Sequence, residues 1–413
     1  MDSSVRKKMG RFNNLISMDE VSSIVRAYPW KKLSTIEVET ANSAGMVAAD
    51  TIVARLNSPA EPRSLVDGYA IKSAETDGCS PADPSHFRIA GKSEAGKGFD
   101  STVSEGECVE IYTGGILPRG SDAIVMAENV TVSGGLIMVT SPVRMGENVA
   151  AAGEDIRAGT TLISAGSMIK PWHLPAMMDG GISRLTVFSP IRVAVLSTGD
   201  ELFPDARDHI ENSGIPSIMA LFPGGLSNTF WIGQAHDDPR EIARKIGESS
   251  DRWDLAIITG GSSLGRKDEV PEAMEMLGTM KVFGGMRTKP GRTTSLYSLD
   301  GRPILSLSGF PSTSILMADL MFEMLLEALM GVTDYRIRQR LPIASNSSTG
   351  SGYTRLIPGT LVEMNGRTMV MPESGNRGMR LGSLLHSSGI IIIPDSVEGY
   401  HSGDMVEFRI WWK

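Results

Sequence analysis

Cysteine is nearly absent from this chain, with only Cys79 and Cys108 in 413 residues. Two thiols cannot make a disulfide framework, and these lack the close spacing of a zinc site, so a reducing compartment, the cytoplasm, is expected. The six histidines form no His-x-x-x-His pair, which argues against a transition-metal centre built from protein ligands. No stretch approaches the roughly 18 apolar residues of a membrane span, and residues 1–14 lack the apolar run of a secretory signal. Positive charge is not in excess either. With 40 basic against 48 acidic residues the formal charge is −8, and nothing general draws the chain to nucleic acid or an anionic membrane. An anionic ligand must be met by a local cluster of cations.

Glycine is plentiful, 45 of 413 residues, and its placement is most informative over 254–311. The strand-like run Leu255-Ala-Ile-Ile258 ends in Thr259-Gly-Gly-Ser-Ser-Leu-Gly265, followed by Arg266, Lys267 and Asp268. Gly260 and Gly261 have no Cβ to block close approach, so successive backbone N–H groups can face a phosphate. A second run, Pro303-Ile-Leu-Ser-Leu307, breaks at Ser308-Gly-Phe-Pro311 and enters a long helical pattern. Between them, Lys289-Pro-Gly-Arg292 places two cations within four residues. Glycine-rich strand-to-helix turns are ordinary connections in α/β proteins. Three such segments, expected together at the carboxyl ends of the strands of one open sheet, mark a ligand site.

A chain of this length is expected to divide into roughly two to four domains. A helix is predicted over 17–28, with Ser17 and Glu20 spaced as a capping box, and a second around 40–54. Short β-like runs punctuated by Gly and Pro follow from Tyr69 to Val139. Residues 159–166 read as a hairpin-like piece, with a helix starting near Lys170-Pro171. Strand and helix patterns alternate over 190–333, which predicts a three-layer α/β domain; the methionines of its last helix recur at helical spacing as core filling. The fold class is therefore a multidomain α/β protein. It comprises an elongated N-terminal domain (1–56 and 153–189), an inserted small, mostly β domain (57–152), the α/β domain (190–333) and a β-barrel-like C-terminal domain (334–413).

Carboxylates cluster at the same predicted edge: Asp200 and Glu201 after the first strand, Asp237 and Asp238 after the second, Asp268 after the glycine loop. Beside a phosphate they make chemical sense if a divalent cation sits between them, since Mg²⁺ takes hard oxygen ligands. The competing reading makes Asp200 and Glu201 loop or cap residues and Asp238-Pro239 a plain helix start. Ser262, Ser263, Ser308 and Ser312 have no evident His and acid partners for a serine hydrolase.

In this order the motifs resemble the MoeA and gephyrin E-domain family, the molybdopterin molybdenumtransferases, over nearly the whole chain. Ser64-Leu-Val-Asp-Gly-Tyr-Ala70 is similar to the family's Ser-Ala-Met-Asp-Gly-Tyr-Ala, and residues 112–126 to its Thr-Gly-Ala-x-x-Pro-x-Gly-x-Asp-x-Val-Val segment. Gly153-Glu-Asp155, Ser197-Thr-Gly-Asp-Glu201, the glycine loop with Asp268, and Lys289-Pro-Gly291 continue the series. The resemblance implies a homodimer whose cleft combines the small β domain of one subunit with the α/β domain of the other. It implies Mg²⁺-assisted insertion of molybdate or tungstate into adenylylated molybdopterin, with release of AMP. Asp67, Thr113, Asp155, Glu201, Asp237 and Asp268 fall on family positions lining that cleft. Thr259, Gly260, Gly261, Ser262, Ser263 and Gly265 are assigned to the phosphate or pterin cradle, with Ser308, Gly309 and Pro311. Lys289 and Arg292 are assigned to the anion, and Glu201 with Asp268 to Mg²⁺.

The chain also departs from the family. Leu-Pro-Gly-Asn-Pro appears as Leu307-Ser-Gly-Phe-Pro311, Lys-Pro-Gly is followed by Arg292-Thr293, and an Asp-Ser-Asn segment reads Asn212-Ser-Gly214. Two alternatives stand beside the transferase. One is a pterin-binding paralogue acting as carrier or scaffold; the other is a molybdopterin adenylyltransferase, which would consume ATP and which in the transferase reading is instead a possible partner protein.

Overall fold

The computed structural model describes residues 15–222, 224–260, 269–333, 336–348, 350, 352–373 and 380–411. Helix α1 (Met18–Ala27) starts at the predicted box: Ser17 Oγ accepts from the Glu20 N–H and the Glu20 carboxylate from the Ser17 N–H. Strand β1 (Thr35–Glu39) pairs antiparallel with a strand distant in sequence, Arg184–Phe188, which closes the N-terminal domain across the insertion. The helix expected around 40–54 is not formed. A 3-10 turn at Thr40–Asn42 is followed by Gly45 at φ +83°, and Val47 and Ala48 then make bridges to Met168 and Val187. The expected hairpin at 159–166 is also replaced by a longer-range pairing, Thr161–Ile163 with Ile52–Val53. In both places the backbone hydrogen bonds go to distant partners and override the local pattern.

The inserted domain is a six-stranded sheet of β2 (Gly68–Ile71), β3 (Ser85–Ser93), β4 (Glu107–Ile111), β5 (Ala123–Met126), β6 (Val130–Ser133) and β7 (Leu136–Val139), in the order β5-β2-β4-β3-β7-β6. The strand Arg184–Phe188, β8, returns the chain to the N-terminal domain. It is preceded by α2 (His173–Asp179), close to where the Lys170-Pro171 start was expected.

The α/β domain contains β9 (Ile191–Thr198), α3 (Gly214–Ala220), β10 (Ser227–Ala235), α4 (Pro239–Glu248), β11 (Leu255–Thr259) and α5 (Glu269–Met276). It continues with β12 (Met280–Gly284), β13 (Ser295–Leu299), β14 (Arg302–Leu307) and α6 (Pro311–Met330). The sheet order is β10-β9-β11-β14-β13-β12. The first four are parallel to one another, whereas β13 is antiparallel to both β14 and β12. Residues alternate across the sheet: Val193 and Val195 of β9 pack with Ile215, Ile218 and Leu316, and Ala194 and Leu196 with Ile242, Ile246 and Val270. A sheet apolar on both faces needs helices on both, which is the predicted three-layer arrangement. Pro311 opens α6, Gly331 closes it in the left-handed conformation, and Met317, Met321, Met324 and Met330 are buried in the core.

The C-terminal β domain is built from β15 (Arg338–Pro342), β16 (Thr354–Met364), β17 (Arg367–Pro372), β18 (Gly389–Ile393) and β19 (Met405–Ile410). Its first strand in space is borrowed: Thr288–Lys289 pairs parallel with Thr354 and Arg355 of β16. A buried charge network joins the domain to α6. Asp319, with no exposure, accepts from Arg336 and from Arg409, itself 1% exposed, while Glu323 accepts from Arg409 and Arg338. Among the described residues no helix is long and apolar enough to cross a membrane.

Candidate functional site

Strands β9, β11 and β14 end side by side, and their glycines allow the three ends to touch. Gly260 sits at φ +100°, where an added Cβ would lie 2.0 Å from the Thr198 carbonyl oxygen, so no other residue fits. An added Cβ on Gly309 would contact Gly260 Cα at 3.4 Å, and the Gly260 N–H donates to the Leu307 carbonyl. Thr259 is 7% exposed at the end of β11. Ser308 is half-buried, Gly309 exposed and Pro311 half-buried, and the Ser308 hydroxyl accepts from the Phe310 N–H at 3.3 Å. The expected neighbours Gly261, Ser262, Ser263, Gly265 and Asp268 lie outside the described residues.

Acidic side chains crowd the same edge. Asp200 and Glu201 follow β9 in a 3-10 turn, Asp237 follows β10, and Glu269 opens α5 with 9% exposure. Asp200 Oδ1 accepts from the Asp237 N–H at 3.2 Å and lies 3.0 Å from His236 Nδ1, and the His236 ring stacks on Phe203 at 3.6 Å. Surrounding protein atoms desolvate the Asp237 carboxyl, and Glu269, Asp200 and Glu201 repel its charge, so its pKa is raised. Neither Glu269 nor the His236–Phe203 stack was singled out by the sequence. A glutamate opening a helix reads as an ordinary first-turn acid, and His236 reads as a surface or cap residue.

The basic loop leaves from the same edge, because β12 runs parallel to β14 two strands away. The Lys289 ammonium lies 4.2 Å from the centre of the Tyr353 ring. Arg292 is half-buried. Gly291, at φ +98°, abuts Met317 of α6 so closely that a Cβ would fall 2.3 Å from its sulfur.

The remaining candidates stand in a second group. Asp67 Oδ1 accepts from the Thr113 N–H at 2.7 Å and from the Thr113 hydroxyl at 2.9 Å. These two bonds, the backbone one foremost, hold the exposed Asp67 carboxyl below its ordinary pKa. The loop beneath is knit by Ser64, which exchanges backbone bonds with Gly114 and Gly115. Asp155 is exposed and its backbone N–H donates to the Ser58 carbonyl.

The structure therefore defines a multidomain protein whose three-layer α/β domain presents glycine-lined strand ends, crowded carboxylates and a basic loop on one edge. Residues 16–181 match the family model for the MoeA N-terminal region (domains I and II), 194–328 that for a probable molybdopterin binding domain, and 340–411 that for the MoeA C-terminal region (domain IV). The chain belongs to the MoeA family. Curated proteins named molybdopterin molybdenumtransferase from Staphylococcus epidermidis and Staphylococcus aureus are 26% identical over 382 residues, 91% of each chain. A crystal structure of a molybdopterin biosynthesis MoeA protein from Pyrococcus horikoshii OT3, 23% identical, matches the fold with a TM-score of 0.81 over 96% of this chain and all of that one.

Proposed function

We propose that this chain is a molybdopterin molybdenumtransferase of molybdenum cofactor biosynthesis, inserting molybdate or tungstate into adenylylated molybdopterin and releasing AMP. The observation that carries this is the succession of three family matches, in order, across 16–181, 194–328 and 340–411. The site supports it. Gly260 and Gly309 let the strand ends beside Thr259 close on one another, a Cβ on Gly260 striking the Thr198 carbonyl, and Lys289 and Arg292 supply cations to an anionic substrate. Asp67, Thr113 and Asp155 stand in or beside the inserted domain, and their recorded bonds are local. A cleft drawing on both groups is supplied by a homodimer, with the inserted domain of one subunit facing the α/β domain of its partner. The domain limits proposed with it are 56/57, 152/153, 189/190 and 333/334.

Mg²⁺ fits the acidic edge. Desolvation, with repulsion from Glu269, Asp200 and Glu201, raises the Asp237 pKa, while no group of three or more metal-ligating side chains is preassembled among the described residues. Mg²⁺ typically takes only one or two carboxylates and completes its shell with waters and substrate phosphates. Glu201, Asp237 and, in sequence, Asp268 are the groups to hold it, and when bound it neutralises phosphoanhydride charge. The chain's own work is positioning: the strand ends orient the phosphate, Lys289 and Arg292 balance its charge, and Asp67 stays ionised. The two buried free cysteines accord with a cytoplasmic location.

The test is AMP release from adenylylated molybdopterin by the purified protein with Mg²⁺, with and without molybdate or tungstate. Oxyanion-dependent release supports the transferase, and ATP consumption instead would mark an adenylyltransferase. Binding without release would favour the carrier reading, which rests on Ser308 and on Phe310, 75% exposed, where the family motif has proline and asparagine.

A further inference from the structure

Lys289 carries the compact charge of the basic loop, yet among the described residues no carboxylate pairs with it, and its ammonium lies over an aromatic face instead. That ring, Tyr353, comes from the C-terminal domain. It is placed by backbone registers set on both sides of the contact. Thr288 and Lys289 pair parallel with Thr354 and Arg355, and the Thr354 N–H donates to the Arg287 carbonyl at 2.9 Å. Asp395 ties together the residues that precede both partners. Its carboxylate lies 3.5 Å from Arg287 Nη1, and its carbonyl accepts from the Gly352 N–H at 2.8 Å. On the far side, Gly291 locks the loop against Met317 of α6. The backbone of Lys289 is therefore held between two domains, and the remaining freedom belongs to its four-carbon stem. Tyr353 restricts that freedom.

We propose that Tyr353 is a positioning residue, whose ring holds the Lys289 ammonium at the site edge by a cation–π contact so that it meets the anionic substrate already oriented. This rests on the reading above that Lys289 faces that substrate. A ring face suits the task better than a carboxylate would. It orients the ammonium while leaving its charge uncompensated and its N–H donors available. The C-terminal domain thereby contributes an aromatic face to the site.

Two measurements test this. In the ligand-free protein, acylation of Lys289 by acetic anhydride, read by peptide mass spectrometry, is expected to rise roughly fivefold in Tyr353→Leu and stay within about twofold in Tyr353→Phe. Equilibrium binding of molybdopterin, followed by its fluorescence, is expected to weaken by roughly fivefold in Tyr353→Leu but not in Tyr353→Phe. In a Lys289→Ala background the same Tyr353→Leu change should then cost nothing further. Equal acylation in the two Tyr353 variants would overturn the proposal. So would a Tyr353→Leu loss of the same size with and without Lys289. Absence of molybdopterin binding by the unsubstituted chain would instead strike at the proposed function, with the acylation result still deciding whether Tyr353 holds Lys289.

Discussion

Asp67 and Asp237 are both exposed carboxylates, both assigned to the cleft, and their surroundings drive them in opposite directions. Asp67 receives two hydrogen bonds from Thr113, which favour its charged form and lower its pKa. Asp237 is desolvated and faces Glu269, Asp200 and Glu201, which disfavour its charge and raise its pKa. The first carboxylate is complete within its own domain. The second stands among like charges that a cation would offset. The inserted domain thus offers a finished anion, and the α/β domain an unfinished one.

The largest effect that would break this contrast is on cation binding. Asp237→Asn should raise the Mg²⁺ concentration for half-maximal AMP release roughly 10- to 100-fold, whereas Asp67→Asn should leave that concentration nearly unchanged while lowering the maximal rate. A Mg²⁺ titration of both variants checks it. Next comes the pH dependence of stability. Asp237 binds its proton more tightly folded than unfolded, so its contribution falls as pH rises from the unfolded value of 3.8 through the higher folded value. Asp67 does the reverse, contributing above 3.8 and losing that contribution as pH falls through its lower folded value. Without metal, Asp237→Asn should therefore stabilise the protein at neutral pH, and Thr113→Val should remove part of Asp67's contribution there. Thermal unfolding from acid to neutral pH gives both slopes, and equal slopes would dissolve the contrast. Smaller still, Asp200→Asn should shift the Asp237 titration downward by removing one repelling charge, as followed by carboxyl NMR. No shift would mean that desolvation, Glu269 and Glu201 raise it without Asp200.

The sequence made the α/β domain legible because its strands are continuous apolar runs ending in glycine, a pattern that a sheet covered on both faces requires. It made the α1 cap legible because a capping box is local. Residues 40–54 misled because the Val47 carbonyl accepts from the Phe188 N–H, while Ala48 donates to the Ser167 carbonyl and accepts from the Gly166 N–H, contacts that no window of neighbouring residues contains. The site divided in the same way. Among the candidates, Glu201, Gly260 and Lys289 fall within motifs, and Asp237 after a predicted strand. Glu269 gains its role from burial beside other acids, and Tyr353 from a parallel pairing with a segment more than sixty residues earlier in the chain.

The charge network beneath α6 bears on how the molecule holds together once its chain is cut. Asp319 and Glu323 lie on α6, whereas Arg336, Arg338 and Arg409 come after it, so the link between the two domains is multivalent and does not depend on the peptide thread at 331–336. Removing buried Asp319 or Arg409 would leave charge out of water and unbalanced, at a cost of about 3–5 kcal/mol. A protein nicked in that thread is thus expected to migrate as one particle, and its two fragments, expressed separately, to reassemble.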